Sequence, residues 1–205
     1  MRVFVDRREG NDAPVFPRRA YGKFDGRRKG KSDMKEMLPK DSEIAALLPE
    51  YTSEGDMTRI VLTNGTALVL RRTMRATVSA LARRRCKDVT LLRRWAARYT
   101  RRRLNNPIAA SADLVLVPVK TRRPKIGGDN TMAHINVAVM DPEETAVQKA
   151  RRNRAAVIAL PGGVSVRALW SERTTQAHIG DARRIRAELV RDQEESVLRR
   201  LKPIS

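Results

Sequence analysis

Arginine is the residue type of this chain whose number and spacing point to chemistry, and that chemistry is phosphate recognition. A guanidinium group is always charged, and its planar fork of donors matches a phosphate bidentately. The stretch VSALARRRCKDVTLLRRWAARYTRRR, 78–103, sets such forks around a regular apolar skeleton. Two triplets, Arg83, Arg84, Arg85 and Arg101, Arg102, Arg103, bracket Arg93, Arg94 and Arg98, with Lys87 and Thr90 between them. Over residues 71–103, twelve Arg and one Lys face the single acid Asp88, which is +12 of a total formal charge of +20. Charge needed only for solubility would be scattered. Packed this tightly it repels itself unless a polyanion relieves it. The plain alternative is a solvated helical face.

Other chemistries find little support. Two histidines, His134 and His178, and one cysteine, Cys86, do not stand at zinc-ligand spacing. KIGGDN (125–130) lacks the Gly-Lys-Ser/Thr ending of a phosphate-binding loop. Asp113, Asp129 and Asp141 have no spacing that favours a nuclease metal site. The expectation is therefore a binding protein with no cofactor rather than an enzyme. Arg122 and Arg123, in the loop KTRRPKIGG (120–128), are further candidates for phosphate contact, against an equal expectation of a solvated loop. Trp95 and Trp170 are read as core residues rather than as base-stacking ones. No apolar run reaches the roughly 18–20 residues of a membrane span. MRVFVDRREGNDAP has no signal-type apolar stretch, and a lone cysteine suits a reducing compartment. Cytoplasmic placement follows as an expectation, with no membrane partner.

The elements that must position these arginines are legible in outline. Residues 1–57 carry twelve bases against eleven acids. They read as a disordered N-terminal arm, basic over 18–31, then an acidic linker over 32–56 with one short helix near 44–48. Residues 58–205 read as a nucleic-acid-binding α+β domain. TRIVLTNGTALVLRR (58–72) is two apolar runs joined by Asn64-Gly65, the signature of a β-hairpin with a type I′ turn. Helical spacing follows through Met74, Val78 and Leu81, then Val89, Leu92 and Trp95, and stops at Asn105-Asn106-Pro107. DLVLVPVK (113–120) and HINVAVM (134–140) form a central strand pair, with Pro118 implying an edge or a bulge. Asp141-Pro142 opens a polar connection.

The last block repeats the first. At an offset of 98 residues Leu62 matches Leu160, Gly65 matches Gly163, Thr73 matches Ser171, Thr77 matches Thr175 and Leu81 matches Ile179. Hairpin-plus-helix units are thus expected at 58–104 and 155–201, each helix capped by Thr73 or Ser171 and the second ending near Leu201. Two unrelated hairpins with common turn chemistry are the alternative. Such a duplication would let even a monomer meet two half-sites.

A helix-turn-helix template fits residues 78–95. Ala82 takes the small position where two helices touch, Cys86 the turn position where glycine is usual, and Val89, Leu92 and Trp95 the buried positions of the second helix. Lys87, Thr90, Arg93, Arg94 and Arg98 then fall on the free side, with Thr90 and Arg94 the candidates for base contact. The central segment also resembles the ComK competence transcription factors. The resemblance rests on Pro118, Arg123-Pro124, His134-Ile135 and the following hairpin at Gly163, with a fainter echo in RRAYGKFDGRR (18–28). It covers roughly the C-terminal half, and GGDNTMA stands where the family carries a tryptophan and a cysteine. It implies a bacterial DNA-binding regulator of competence genes that meets A/T-rich double-stranded DNA largely through the minor groove. Helix-turn-helix and resemblance differ about the groove and agree about DNA. A basic RNA- or ribosome-associated protein stays open beside them.

Overall fold

IAALLPEYT, an apolar run without clean alternation, forms the strand at the centre of the molecule, β1 (Ile44–Thr52). The computed structural model describes residues 38–125, 127–141, 147–149 and 155–201. β2 (Gly55–Leu62) and β3 (Ala67–Leu70) follow as a meander, then α1 (Met74–Arg84) and α2 (Val89–Thr100). β4 (Ile108–Ser111), β5 (Leu114–Lys120) and β6 (Met132–Asn136) complete a six-stranded antiparallel sheet of order β3-β2-β1-β6-β5-β4. β7 (Val147–Lys149), β8 (Ala156–Leu160) and β9 (Val164–Ala168) make a second, three-stranded antiparallel sheet, and α3 (Glu172–Leu201) closes the chain. The protein is an α+β fold.

Both faces of the large sheet are buried, which is why its inner strands do not alternate in polarity. Leu114 and Leu116 of β5 join Met74, Val78 and Leu81 of α1 in one apolar cluster. Val115, Val117 and Val119 join β8, β9 and Ile179, Ala182 and Ile185 of α3 in the other. A bulge at Ala45 shifts the register of β1, so Ile44 and Leu47 share the helix-pair side while Ala45 and Ala46 share the opposite one. Burying Leu47, Ile60 and Leu81 completely stabilises the fold by about 1.5–3 kcal/mol for each side chain.

Three expectations need correction. The linker with a short helix at 44–48 is instead β1, so the boundary of the folded part lies before residue 41, not at 57. The arm over 1–37 and the connection over 142–146 lie outside the described residues. The β2–β3 turn is not type I′, because only Gly65 has a positive φ, +83°. Gly65 N–H donates to Leu62 O and Leu62 N–H to Thr66 O, a three-residue loop with its left-handed residue last. Pro118 lies in an inner strand, not at a sheet edge. It is tolerated because β4 pairs no further along β5 than Ile108↔Leu116, leaving no ladder beside it for an N–H to complete.

The duplication is visible in three dimensions and reaches further back than the hairpins. β1-β2-β3-α1 and β7-β8-β9-α3 are both three-stranded meanders followed by a capped helix. Thr73 Oγ1 accepts from Ala76 N–H at 3.3 Å and Ser171 Oγ from Thr174 N–H at 3.2 Å. One turn on, Thr77 and Thr175 are both fully buried. The two hairpin turns abut: a Cβ on Gly65 would lie 2.5 Å from the carbonyl oxygen of Gly162, and one on Gly162 would strike the Gly65 backbone. Glycine is needed at both for this approach.

Candidate nucleic-acid interface

The turn between α1 and α2 puts Cys86 in the conformation for which the template expects glycine, but of the positions the template buries in the second helix only Leu92 is buried. α1 buries Met74, Thr77, Val78, Leu81 and Ala82 at helical spacing. Its end is a Schellman closure: Cys86 N–H donates to Arg83 O and Lys87 N–H to Ala82 O, with Cys86 in the left-handed region at φ +54°. Asp88 then caps α2, its Oδ1 accepting from Thr90 N–H at 2.8 Å and Leu91 N–H at 3.0 Å. Leu92 and Ala96 are buried, Val89 and Trp95 half-buried. At the far end Asn106 accepts from Thr100 Oγ1 at 2.6 Å and donates to Arg102 O at 2.9 Å, fixing the exit of the chain.

The helix turns its outer face to solvent. Thr90, Leu91, Arg94 and Arg98 are exposed along it, and Arg101 continues the stripe from the left-handed C-cap. Arg93 is exposed on the flank nearest His134. Arg83, exposed at the end of α1, and Arg103, exposed beyond α2, extend the surface at its two ends. None of Arg83, Arg93, Arg94, Arg98, Arg101 and Arg103 has a carboxylate partner among the described residues. Leu91, 61% exposed, is an apolar residue in the midst of this basic surface that sequence reasoning passed over.

Of the other sequence candidates, Arg84, Arg85, Arg102 and Arg122 have structural employment. Arg84 and Arg85 converge on Asp41, whose side chain is 1% exposed and also accepts from Ser111 Oγ at 2.8 Å. Arg84 further donates to Pro39 O at 2.6 Å. Burial works against the charge of Asp41, but hydrogen bonds from Ser111, Arg85 and Arg84 outweigh it and hold the carboxyl below its usual range. This triad fastens the α1–α2 turn to the start of β1. Lys87 is half-buried, and burial, then the charge of Arg85, push its ammonium pKa down. Arg102 donates to Asp181 Oδ2 at 2.7 Å and faces His178 Nε2 at 3.3 Å, and His178 in turn stacks on Trp170 with ring centroids 4.6 Å apart. That brace ties the end of α2 to α3. Arg122 pairs with Asp56 and lies over the ring of Tyr51, while Arg123 is exposed.

His134 is a core residue on the helix-pair side, opposite Leu47 of β1 and Pro118 of β5. Burial, and then the charge of Arg93, push its pKa down to about 4, and its Nδ1 has no hydrogen-bond partner. The imidazole is neutral at physiological pH. Among the described residues no group of three His, Cys, Asp or Glu is placed to hold a metal ion, and no helix is long and apolar enough to cross a membrane. The signals for Asp41, Asp181 and Tyr51 were not in any motif; they emerge only when distant segments meet. No protein-family model, curated protein or solved structure matches the chain.

Proposed function

We propose that the protein is a DNA-binding transcriptional regulator that engages duplex phosphates through α2 and the turn before it. The observation that carries this reading is the stripe Arg94, Arg98 and Arg101, exposed and without a carboxylate partner among the described residues, on the second of two helices joined by a tight turn at Cys86. Phosphate contacts would come from Arg98, Arg101 and Arg103 at one end and Arg83 at the other; these position a protein without reading sequence. Reading would fall to the first turns of α2, where Thr90 and Arg94 offer donors and Leu91 offers an apolar contact for a thymine methyl. The resemblance to the ComK family adds a cytoplasmic, bacterial setting, competence genes and A/T-rich targets to the same reading. In it the protein binds and does not cleave.

The test is a paired charge reversal, Arg94→Glu with Arg98→Glu, both side chains being exposed. Fluorescence anisotropy on a labelled duplex near 0.1 M salt is expected to show about a 100-fold or greater loss of affinity, with an unchanged melting temperature. Unchanged affinity would remove α2 from the interface.

A further inference from the structure

At one end of the large sheet a loop of eleven residues, 121–131, joins β5 to β6, and its described residues, 121–125 and 127–131, are held with unusual thoroughness for a segment without regular structure. Thr121 N–H donates to Thr131 O at 3.0 Å at its root. Arg122 donates through Nε to Asn130 O at 2.7 Å, pairs with Asp56, and sets its guanidinium carbon 3.6 Å from the centroid of the Tyr51 ring. The Tyr51 hydroxyl donates to Asp129, which also accepts from Lys125 N–H at 2.8 Å. Lys125 places its ammonium 4.5 Å from the same ring. Ordering such a loop costs roughly 1–2 kcal/mol per residue in backbone entropy, so these bonds hold one shape against a real opposing term. What the shape presents is basic and open. Arg123, Pro124, Lys125, Gly127 and Gly128 are exposed, and a Cβ at either glycine would meet nothing within 4 Å.

The root of the loop is linked to the end of α2 through the segment that opens α3. Lys120 O at its root accepts from Leu169 N–H at 2.7 Å; the next residue, Trp170, stacks on His178, which faces Arg102. Along the sheet, the chain leaving α2 enters β4 at Ile108, which pairs with Leu116 of β5, four residues or roughly 13 Å from the root of the loop at Lys120.

We propose that this loop is a second, pre-ordered contact for the phosphate backbone of the duplex that α2 engages, with Arg123 as the contacting side chain and the backbone at Gly127 and Gly128 approaching the phosphate. Tyr51, Asp129 and Arg122 are positioning residues that hold the loop in its binding shape. The inference rests on the DNA-binding reading and adds to it a division of labour: Arg122, which looks like a partner for phosphate in the sequence, is the strut, and Arg123 is the contact. Binding energy is saved because the loop is ordered before the duplex arrives.

The experiment is a salt titration of duplex affinity for the full chain and for Arg123→Ala, Tyr51→Phe and the Arg94→Glu/Arg98→Glu pair, with hydrogen exchange of the Lys125 amide in the free protein. Arg123→Ala is expected to reduce the slope of log affinity against log salt by about 1 and to weaken binding equally on all duplex sequences. Tyr51→Phe keeps the ring beneath Arg122 and Lys125 but removes the bond to Asp129. It is expected to speed exchange at Lys125 and lower affinity with no change in melting temperature. If Arg123→Ala keeps the full slope and affinity while the α2 pair abolishes binding, the loop is not a contact and the reading of α2 stands. If Tyr51→Phe speeds exchange and leaves affinity unchanged, the positioning role is overturned. A wild-type chain that binds no duplex overturns loop and helix together.

Discussion

The two β-meander-plus-helix units of this protein have one architecture and two electrostatic designs. In the first, the helical segment 74–103 carries eleven bases against one acid; in the second, α3 over 172–201 carries seven against six. α3 neutralises itself along its own length through Arg184–Asp181, Arg191–Glu188 and Arg199–Glu195. The first unit spends only its flanking arginines in this way, on Asp41 and Asp181, and leaves the middle stripe open. Duplication supplies a scaffold twice. What differs is where the countercharges were omitted, and the DNA-binding reading rests on that difference, since an outside anion would relieve the mutual repulsion of the open row.

The strongest way to break the comparison is at the contact joining the two units. Gly162→Ala forces a methyl group into the Gly65 backbone and is expected to cost more than about 4 kcal/mol, or to leave no folded protein. Gly163→Ala, with nearly the same φ of +73° but open space, is expected to cost about 1–2 kcal/mol. Urea denaturation of the two variants checks this, and equal costs would mean that the turns do not meet.

A second test uses pH, because His134 is buried beneath the first unit's helices. Its folded pKa of about 4 lies below the 6.5 of an unfolded histidine, so below pH 6.5 the unfolded chain takes a proton that the folded one refuses. Stability is therefore full above pH 6.5 and is expected to fall by about 3 kcal/mol on the way down to pH 4. His134→Leu should reduce that fall in urea midpoints measured at each pH, and His178, whose pKa burial and then the charge of Arg102 also push down, accounts for what is left. Below it Asp41 and Asp181 take over. Both carboxyls are held under their ordinary range, so the stability they contribute is present above that range and is lost as pH falls through their folded values.

Asp41→Ala is expected to cost about 2 kcal/mol. That is less than a fully buried pair, because Arg84 and Arg85 keep 32% and 46% of their side chains in water. The smallest effect is reserved for the second unit. Reversing Arg184 and Arg191 on α3 should change stability by no more than about 1 kcal/mol and duplex affinity by little beyond the change in net charge. A loss matching that of the α2 pair would erase the distinction between the units.

Local chemistry was legible in the sequence, and long-range partnership was not. The Asn64-Gly65 and Gly162-Gly163 hairpins, the Thr73 and Ser171 caps and the glycine-like position of Cys86 each depend on residues within a turn of one another, and all appear in the structure. β1 escaped because a strand buried on both faces loses the alternation that marks a strand, and a bulge at Ala45 disturbs what pattern is left. Nothing in the spacing of Arg102 or Arg122 distinguishes them from their neighbours, since Asp181 and Asp56 stand 79 and 66 residues away. Composition identified the basic surface; only the fold separated its struts from its open stripe.

The most direct test of the central claim is a salt titration of wild-type affinity for mixed-sequence duplex DNA, A/T-rich duplex DNA and single-stranded RNA side by side. Arg83, Arg98, Arg101 and Arg103, with Arg123 of the β5–β6 loop, together predict a log–log slope of about −4.5 on duplex, from roughly −0.9 per phosphate neutralised. Tightest binding should fall on A/T-rich sequence. Equal or tighter binding to RNA, or a slope near zero on every duplex, would contradict the account and leave the arginines of α2 as a solvated face.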